Sequence, residues 1–285
     1  MAEKKYTESI VGIALALLII LLNLCEMKIL HKRKKKRLYE SLLLSLSVSD
    51  LCLGVSELSI SIVYISGIFD ESPNYAYMTY FFFLLVSILH LLCISIDRLY
   101  AVAYPIHHKT HQRGKTTKYL IGASWIISLV PTGGYVINFF ANNYHIVYTS
   151  KTEYCDVIVS MIAYVLIIAN VLYMIIYSVI GYFIWSRSVF SSNEDQVRTQ
   201  MKNQKRGVLL CACTVLAFII FTTPFSMSYV LNQAALPRKP TNLALGSNSA
   251  MNSIIFLLQE YVRKRAIQRK NSSGATSLNQ NAVLN

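Results

Sequence analysis

Six oxygen-bearing side chains interrupt stretches of the sequence that are otherwise strongly apolar. Asn248 and Asn252 are four residues apart, so on a helix they share one face. An ionised Asp50 in apolar surroundings needs a partner, and hard cations prefer oxygen ligands. These residues therefore indicate either a sodium ion held at Asp50 or a water-filled hydrogen-bonded network in which Asp50 is protonated part of the time. The six are Asn23, Asp50, Ser87, Asn248, Ser249 and Asn252.

An acid and a base stand side by side where another apolar run ends. Asp97 and Arg98 lie in "SIDRLYAVAYPI", directly after "YFFFLLVSILHLLCI". In a soluble protein this pair would be an ordinary solvated turn. At the end of a membrane-spanning helix it lies at the interface, either as a simple helix cap or as a contact for a cytoplasmic partner.

The sequence shows no catalytic constellation, and we predict that the protein is not an enzyme. Its histidines lack metal-ligand spacing such as H-E-x-x-H. Inverted repeats or several charges along one pathway would indicate a transporter or channel, and neither is visible, which makes that the weaker alternative. The histidines are His31, His90, His107, His108, His111 and His145.

The elements that must position these side chains are membrane-spanning helices. Hydrophobic residues make up 54% of the chain and charged residues only 14%, against about a quarter charged in a soluble globule. The sequence predicts an all-α integral membrane protein, a seven-transmembrane helix bundle. The seventh stretch is weak by hydropathy, so its polar side must be buried against other helices. The stretches are 10–30, 42–66, 77–102, 119–140, 157–185, 208–231 and 242–258.

Basic residues predict how the chain is oriented. Of 27 Lys and Arg, 20 lie in "HKRKKKR", "HHKTHQRGKTTK", the linker 187–206 and the tail "RKRAIQRK". The positive-inside rule puts these segments in the cytoplasm and the N-terminus outside. The net charge of +13 is then expected to meet anionic inner-leaflet lipid rather than nucleic acid. We predict a multi-pass protein of the plasma membrane.

The remaining segments are short. Residues 1–9 form a short extracellular N-terminus, and 10–259 form the bundle. Residues 260–270 form an amphipathic juxtamembrane helix, and the Ser/Asn/Gln-rich residues 271–285 form a disordered cytoplasmic tail. Cys155 is the one cysteine outside the predicted spans, so no disulfide is predicted.

Motifs in order, one in each predicted span, resemble those of rhodopsin-like (class A) G-protein-coupled receptors. The resemblance covers almost the whole chain, and "QEYVRKRAI" matches the short helix that follows the seventh span. One motif would be weak evidence, but this many in order is strong. The matching elements are Asn23, "LSVSD" (46–50), "SIDRLYAVAYPI" (95–106), Trp125, Tyr177 with Ile180, Phe218 and Pro224 in "FIIFTTPF", and "NSAMNSIIF" (248–256).

The sequence also departs from the family pattern. Thr222 stands where the sixth helix usually has Trp, and Ser253 and Phe256 replace the seventh-helix Pro and Tyr. Gln204 stands where many members have an acid. No cysteine lies between Cys52 and Cys93, so the family disulfide from the third helix is absent. Because of these losses, the main alternative function is that of a receptor-like protein that no longer signals.

The resemblance implies that an extracellular small ligand activates a cytoplasmic heterotrimeric G protein, with arrestin and a receptor kinase as further candidate partners. At rest Asp97 holds Arg98; released, Arg98 meets the G protein and Tyr177. Because Gln204 can offer only a neutral hydrogen bond, about half as strong as a charge-assisted one, we expect raised basal activity. The implied coupling and switch residues are Asp97, Arg98, Tyr177, Phe218, Pro224, Asn252 and Phe256.

The resemblance leaves the ligand open. Tyr80 stands where amine receptors have Asp, which argues against a biogenic amine, while small peptides, lipids and nucleoside-like molecules remain candidates. No cofactor is implied apart from an allosteric sodium ion at Asp50. Glu57 is the one predicted buried acid that could meet a cationic ligand. The predicted pocket consists of Glu57, Tyr80, Phe81, Leu84, Phe225, Ser226, Tyr229 and Asn242.

Overall fold

The computed structural model describes residues 2–33, 38–66, 74–110, 114–143, 151–190, 195–230 and 238–283. Within these ranges all residues except Lys32, Arg33 and Tyr104 are α-helical. The helices are α1 (Ala2–His31), α2 (Leu38–Ser66), α3 (Asn74–Ala103), α4 (Pro105–Thr110), α5 (Gly114–Asn143), α6 (Lys151–Phe190), α7 (Asp195–Val230) and α8 (Arg238–Val283). Helices α5 to α8 contain the fourth to seventh predicted spans.

Five segments among the described residues are long and apolar enough to cross a membrane. They are Tyr6–His31, Leu38–Val63, Met78–Ala103, Ser160–Ser186 and Cys211–Ser228. These five coincide with predicted spans on α1, α2, α3, α6 and α7. Helices α5 and α8 are not among them; on α8, polar residues such as Asn248, Ser249 and Asn252 lower the hydropathy, as expected from the sequence.

The burial pattern is the reverse of that in a water-soluble protein. Outward-facing leucine and isoleucine side chains on α1 and α6 are about half exposed, such as Leu21 (61%) and Ile168 (59%). The fully buried side chains include Asn23, Asp50 and His90. An apolar exterior around a polar interior is what a hydrocarbon solvent favours, because intramembrane polar groups turn towards the bundle interior.

Helix α3 lies at the centre of the bundle. It contacts α2, α5, α6 and α7, whereas α8 packs between α7 and α1 and also touches α2. One close approach of α1 to α2 depends on Gly54, because a Cβ there would lie 2.9 Å from Cγ2 of Ile19. The main hydrophobic core includes Leu84, Tyr173, Phe218 and Phe225.

Several helices extend beyond the predicted boundaries. Helix α1 begins at Ala2 rather than near residue 10, and α6 and α7 both reach further towards the 187–206 linker. Helix α8 runs to Val283, through the predicted tail. No proline follows Pro240, which lies in the first turn of α8 where its missing N–H is tolerated. The short α4 was not anticipated; it begins at Pro105 for the same reason.

An ionic cluster joins the end of α1 to α2 and α8. Arg33 pairs with Glu40, and its Nη2 lies 2.8 Å from Oε2 of Glu260. Arg263 Nη2 lies 2.6 Å from Oε1 of Glu260. Burial acts to raise the pKa of Glu260, but the hydrogen bond and charge of Arg263, with Arg33 and Lys264, outweigh it and hold that pKa below its usual value of 4.5.

Replacing Glu260 with glutamine is expected to lower the melting temperature at pH 7 but not in acid. Because the pKa is lower in the folded protein, the carboxylate stabilises the fold above pH 4.5, and this stabilisation is lost as the pH falls through the folded pKa. Melting curves of the detergent-solubilised protein between pH 3 and 7 would measure this. An equal shift at every pH would contradict it.

Candidate functional site

Asp50 is completely buried and accepts hydrogen bonds from two other helices. Its Oδ1 accepts from Ser87 Oγ of α3 at 2.7 Å and from Ser249 Oγ of α8 at 3.0 Å. Its Oδ2 accepts from Asn252 Nδ2 of α8 at 3.1 Å. The structure thus brings together four residues that the sequence placed in one polar network. Ser49 extends the network, since its Oγ lies 2.9 Å from Oγ of Ser87.

Two amides on α8, one of which donates to this carboxylate, have atoms with no hydrogen-bond partner among the described residues. Both polar side-chain atoms of Asn248 and Oδ1 of Asn252 are buried and have no such partner. Their side chains are 1% and 6% exposed, so bulk water does not satisfy them. Free amide oxygens next to a carboxylate are the donor set that a small hard cation takes. The residues present therefore fit a sodium ion at Asp50, or ordered water.

Asn23 does not join the Asp50 carboxylate. Its Oδ1 lies 2.9 Å from the hydroxyl of Ser253 on α8, and the same hydroxyl lies 2.8 Å from Oε2 of Glu26. Glu26 was not predicted as a site residue, although it is 2% exposed. The available signal was an acid three residues after Asn23 within an apolar stretch, a spacing that puts both on one helix face.

Asp97 and Arg98 contact each other, and each also contacts a side chain of another helix. Arg98 Nη2 lies 2.7 Å from Oδ2 of Asp97, and His108 Nε2 of α4 lies 2.8 Å from Oδ1. The Arg98 guanidinium stacks on the ring of Tyr39, 4.3 Å from its centroid. Tyr39 and His108 were not predicted, because only the packing of α2 and α4 against α3 brings them here.

The other predicted switch residues lie around α6, α7 and α8. The Tyr177 hydroxyl is buried and lies near Arg98, Ser95 and Cys211. Phe218 packs edge-on against Tyr173, with ring centroids 5.3 Å apart. Phe256 is buried.

Two further predicted features complete this region. The ring of Phe256 lies 6.0 Å from the guanidinium of Arg33. Pro224 lies inside α7, where it removes a backbone hydrogen bond and favours a kink. The side chain of Gln204 lies outside the described part of the chain.

Thr222, at the position of the missing aromatic residue, links α7 to α6. Asn170 Nδ2 lies 3.2 Å from Thr222 Oγ1, and both residues are buried. The Thr222 hydroxyl also donates to the carbonyl of Phe218 at 2.8 Å. A polar contact between two helices therefore occupies the position where the family usually has a tryptophan.

Single replacements at this contact, Thr222→Val or Asn170→Leu, are each expected to cost about 1 kcal/mol of stability, because each leaves a buried polar partner unpaired. The double variant should recover part of that loss, giving a coupling energy of about 0.6–1.7 kcal/mol. Reversible unfolding of the four proteins in mixed detergent would measure this cycle. Strictly additive effects would show that the two side chains do not interact.

Three of the predicted ligand residues form a buried aromatic cluster. Phe81 packs against Tyr80 at 5.7 Å and Phe225 at 6.3 Å between ring centroids. Leu84 and Ser226 are buried in the same part of the bundle. The side chains of Tyr229 and Asn242 lie outside the described part of the chain.

Glu57 is buried on α2, and its described neighbour is on α1. A Cβ placed on Gly12 would lie 3.5 Å from Oε1 of Glu57. The side chain is 8% exposed. Its carboxyl group therefore lies at the α1–α2 contact.

A separate cavity of about 500 Å³ opens between α3, α5 and α6. Its walls are aliphatic side chains such as Leu85, Ile127 and Ile162, together with Pro131. A cavity of this size is large enough for a drug-sized molecule. None of the predicted ligand residues lines it.

Similarity to known proteins agrees with this arrangement. Residues 18–258 match the family model described as 7 transmembrane receptor (rhodopsin family). The chain is 25% identical over 240 residues to free fatty acid receptor 3 of Rattus norvegicus, covering 79% of this chain and 73% of that protein. Over 54 residues it is 41% identical to a Homo sapiens protein named as a trace amine-associated receptor 3, covering 19% and 16% of the two chains.

Proposed function

Because the chain belongs to the rhodopsin family of seven-transmembrane receptors, we propose that it transduces an extracellular small ligand into activation of a cytoplasmic heterotrimeric G protein. The family is one of receptors and not of enzymes, and its members are multi-pass membrane proteins. The N-terminus lies outside the cell and the C-terminus in the cytoplasm, as the distribution of Lys and Arg favours. The amphipathic residues 260–270 lie against the inner leaflet.

One observation carries this proposal: the pair of buried Asp97 and half-buried Arg98 at the foot of the central helix. Asp97 is 5% exposed, and its carboxylate accepts from both Arg98 and His108. A plain helix cap needs no such enclosure. An arginine held by a carboxylate and an aromatic face is restrained in one state and available to a partner in another.

The restraint between Arg98 and α7 is weak, which favours basal activity. Its described ion-pair and stacking partners, Asp97 and Tyr39, lie on α3 and α2, so they do not tie α3 to α7. Gln204 could add only a neutral hydrogen bond from α7. Outward movement of α7 at Pro224 then opens the cleft beside Arg98 at low cost.

A sodium ion at Asp50 is the proposed allosteric partner. The three donors around the carboxylate and the unpaired amide oxygens of Asn248 and Asn252 support it. When bound, the ion supplies a positive charge that neutralises Asp50. The protein oxygens orient that charge between α2, α3 and α8 and hold these helices together.

The proposed ligand is small and largely apolar. The names of the two relatives specify a free fatty acid and a trace amine, which carry opposite charges. Glu57 favours a ligand with a cationic group over a carboxylate, because the predicted pocket contains no Lys or Arg. Peptides, lipids and nucleoside-like molecules with an aromatic or aliphatic body fit the cluster of Tyr80, Phe81 and Phe225.

Ligand-free signalling in transfected cells tests the function. A panel of second-messenger or G-protein biosensor readouts should show a signal at least about twofold above mock-transfected cells at matched surface expression, because the neutral Gln204 contact is the weaker restraint. A signal equal to mock for every G-protein class would favour the alternative of a non-signalling, receptor-like membrane protein, which the changes at Thr222, Ser253 and Phe256 support.

A further inference from the structure

Glu26 is a second buried acid close to Asp50, and nothing in the switch described above uses it. It lies on α1, and its Oε2 contacts the Ser253 hydroxyl of α8 at 2.8 Å. Asp50 and Tyr39, both on α2, are the ionisable groups that interact with it electrostatically, and Ser47 of α2 lies beside it. No described lysine or arginine neutralises it.

A count of hydrogen atoms at Ser253 determines what Glu26 must contribute. The Ser253 Oγ lies within hydrogen-bond distance of two oxygens, Oδ1 of Asn23 at 2.9 Å and Oε2 of Glu26 at 2.8 Å. A serine hydroxyl has one proton to donate. An amide oxygen and an ionised carboxylate are both acceptors only, so one of these two contacts would lack a proton if Glu26 were ionised.

The orientation of the Asn23 amide excludes the alternative in which Asn23 donates a hydrogen bond to Ser253. Its Nδ2 donates to the carbonyl of Ile19 at 2.9 Å. Exchanging its oxygen and nitrogen would give Ser253 a donor, but it would place two oxygens 2.9 Å apart at Ile19. The Asn23 oxygen therefore faces Ser253, and it must receive the single Ser253 proton.

We infer that Glu26 holds a proton and donates it to Ser253, which in turn donates to Asn23. This chain of two hydrogen bonds joins α1 to α8 without adding a second negative charge near Asp50. Ser253 can accept one bond and donate another, whereas the proline usual at this family position has neither a hydroxyl nor an N–H. Glu26 and Ser253 thus form a polar link that a proline at position 253 could not make.

This link also restrains the proposed switch, an extension that depends on the proposed signalling function. Ser253 follows Asn252, which donates to Asp50, so the Glu26 proton fixes the part of α8 that carries the Asp50 donors. Movement of α8 on activation must break the Glu26–Ser253 bond. Glu26 is therefore a positioning residue that acts through Ser253.

Infrared spectroscopy of the purified protein in lipid nanodiscs tests the proton directly. At neutral pH the wild type should show the carbonyl-stretch band of a protonated carboxylic acid, shifting in deuterated buffer. Glu26→Gln should remove this band, while Asp50→Asn should retain it. A wild-type spectrum without the band, or a band that Glu26→Gln leaves unchanged, would overturn the inference whether or not the protein signals.

Ligand-free signalling tests the restraint. Glu26→Gln still offers an N–H donor to Ser253, so its basal activity should stay within about twofold of wild type. Glu26→Leu and Ser253→Ala both break the link and should raise basal activity about two- to tenfold, the effect of one hydrogen bond. Equal signals from the Gln and Leu variants would overturn the restraint. If no protein signals at all, the proposed function fails. The infrared result alone then decides whether Glu26 is protonated.

Discussion

Replacement of Asp50 by alanine is expected to lower the melting temperature of the purified receptor by roughly 6–12 °C. The carboxylate is the shared acceptor of Ser87, Ser249 and Asn252. Its loss leaves three buried donors without that acceptor, at a cost of at least about 1 kcal/mol each. A loss of about 3 kcal/mol corresponds to that shift for a chain of this size class.

The comparison variants separate the network from simple packing. Asp50→Asn keeps one acceptor oxygen and nearly the same volume, so its melting temperature should fall by less than half as much as that of Asp50→Ala. Ser56→Ala is a matched control on the same helix, because the Ser56 hydroxyl donates to its own backbone at Cys52. Its effect should be small. Equal losses for the alanine and asparagine variants would show that the three donors do not depend on Asp50.

Replacement of Arg98 by alanine is expected to reduce G-protein activation at least about tenfold while surface expression is kept. The guanidinium lies next to the C-terminal end of α3, where it contacts Asp97 and Tyr39. It is the group that the proposed mechanism releases towards the G protein. Its truncation removes a charge-assisted contact worth about 1.5–3 kcal/mol, and 1.4 kcal/mol is a factor of ten. Biosensor signal normalised to surface receptor measures this effect.

Variants of the restraints on Arg98 should act in the opposite direction. Tyr39→Leu removes the aromatic face that stacks on the guanidinium, a contact worth about 0.5–2 kcal/mol, and Asp97→Asn weakens the ion pair. Both should raise ligand-free signalling several-fold, and neither should do so in combination with Arg98→Ala. A lower signal from Tyr39→Leu would show that Tyr39 supports the active state instead of the resting one.

The sequence alone was sufficient to predict the family and most of the helices. The motifs identify the rhodopsin family, which the match over residues 18–258 confirms. Long apolar stretches predict helices because every backbone polar group in a membrane must be paired within the segment. Helix ends were less predictable: α8 continues to Val283 although the residues after 270 lack the apolar pattern of a packed helix.

Several contacts that sequence reasoning missed join side chains on different helices. Tyr39 and Arg98 lie on α2 and α3, and Glu26 and Ser253 on α1 and α8. Periodicity shows which residues share a helix face, but not which face of another helix it meets. A buried acid such as Glu26 could have been noted from its apolar neighbours alone. Its partner could not, because Ser253 is a residue type common on any helix surface.

The most direct test of the proposed function is the rate of guanine-nucleotide exchange on purified heterotrimeric G proteins of each class. Ligand-free receptor in nanodiscs would be compared with empty nanodiscs and with the Arg98→Ala variant, whose melting curve must match that of the wild type. We predict faster exchange than with empty discs for at least one class, and a return to the empty-disc rate with Arg98→Ala. Folded wild-type receptor that accelerates exchange on no class, or an Arg98→Ala variant as active as the wild type, would contradict the account.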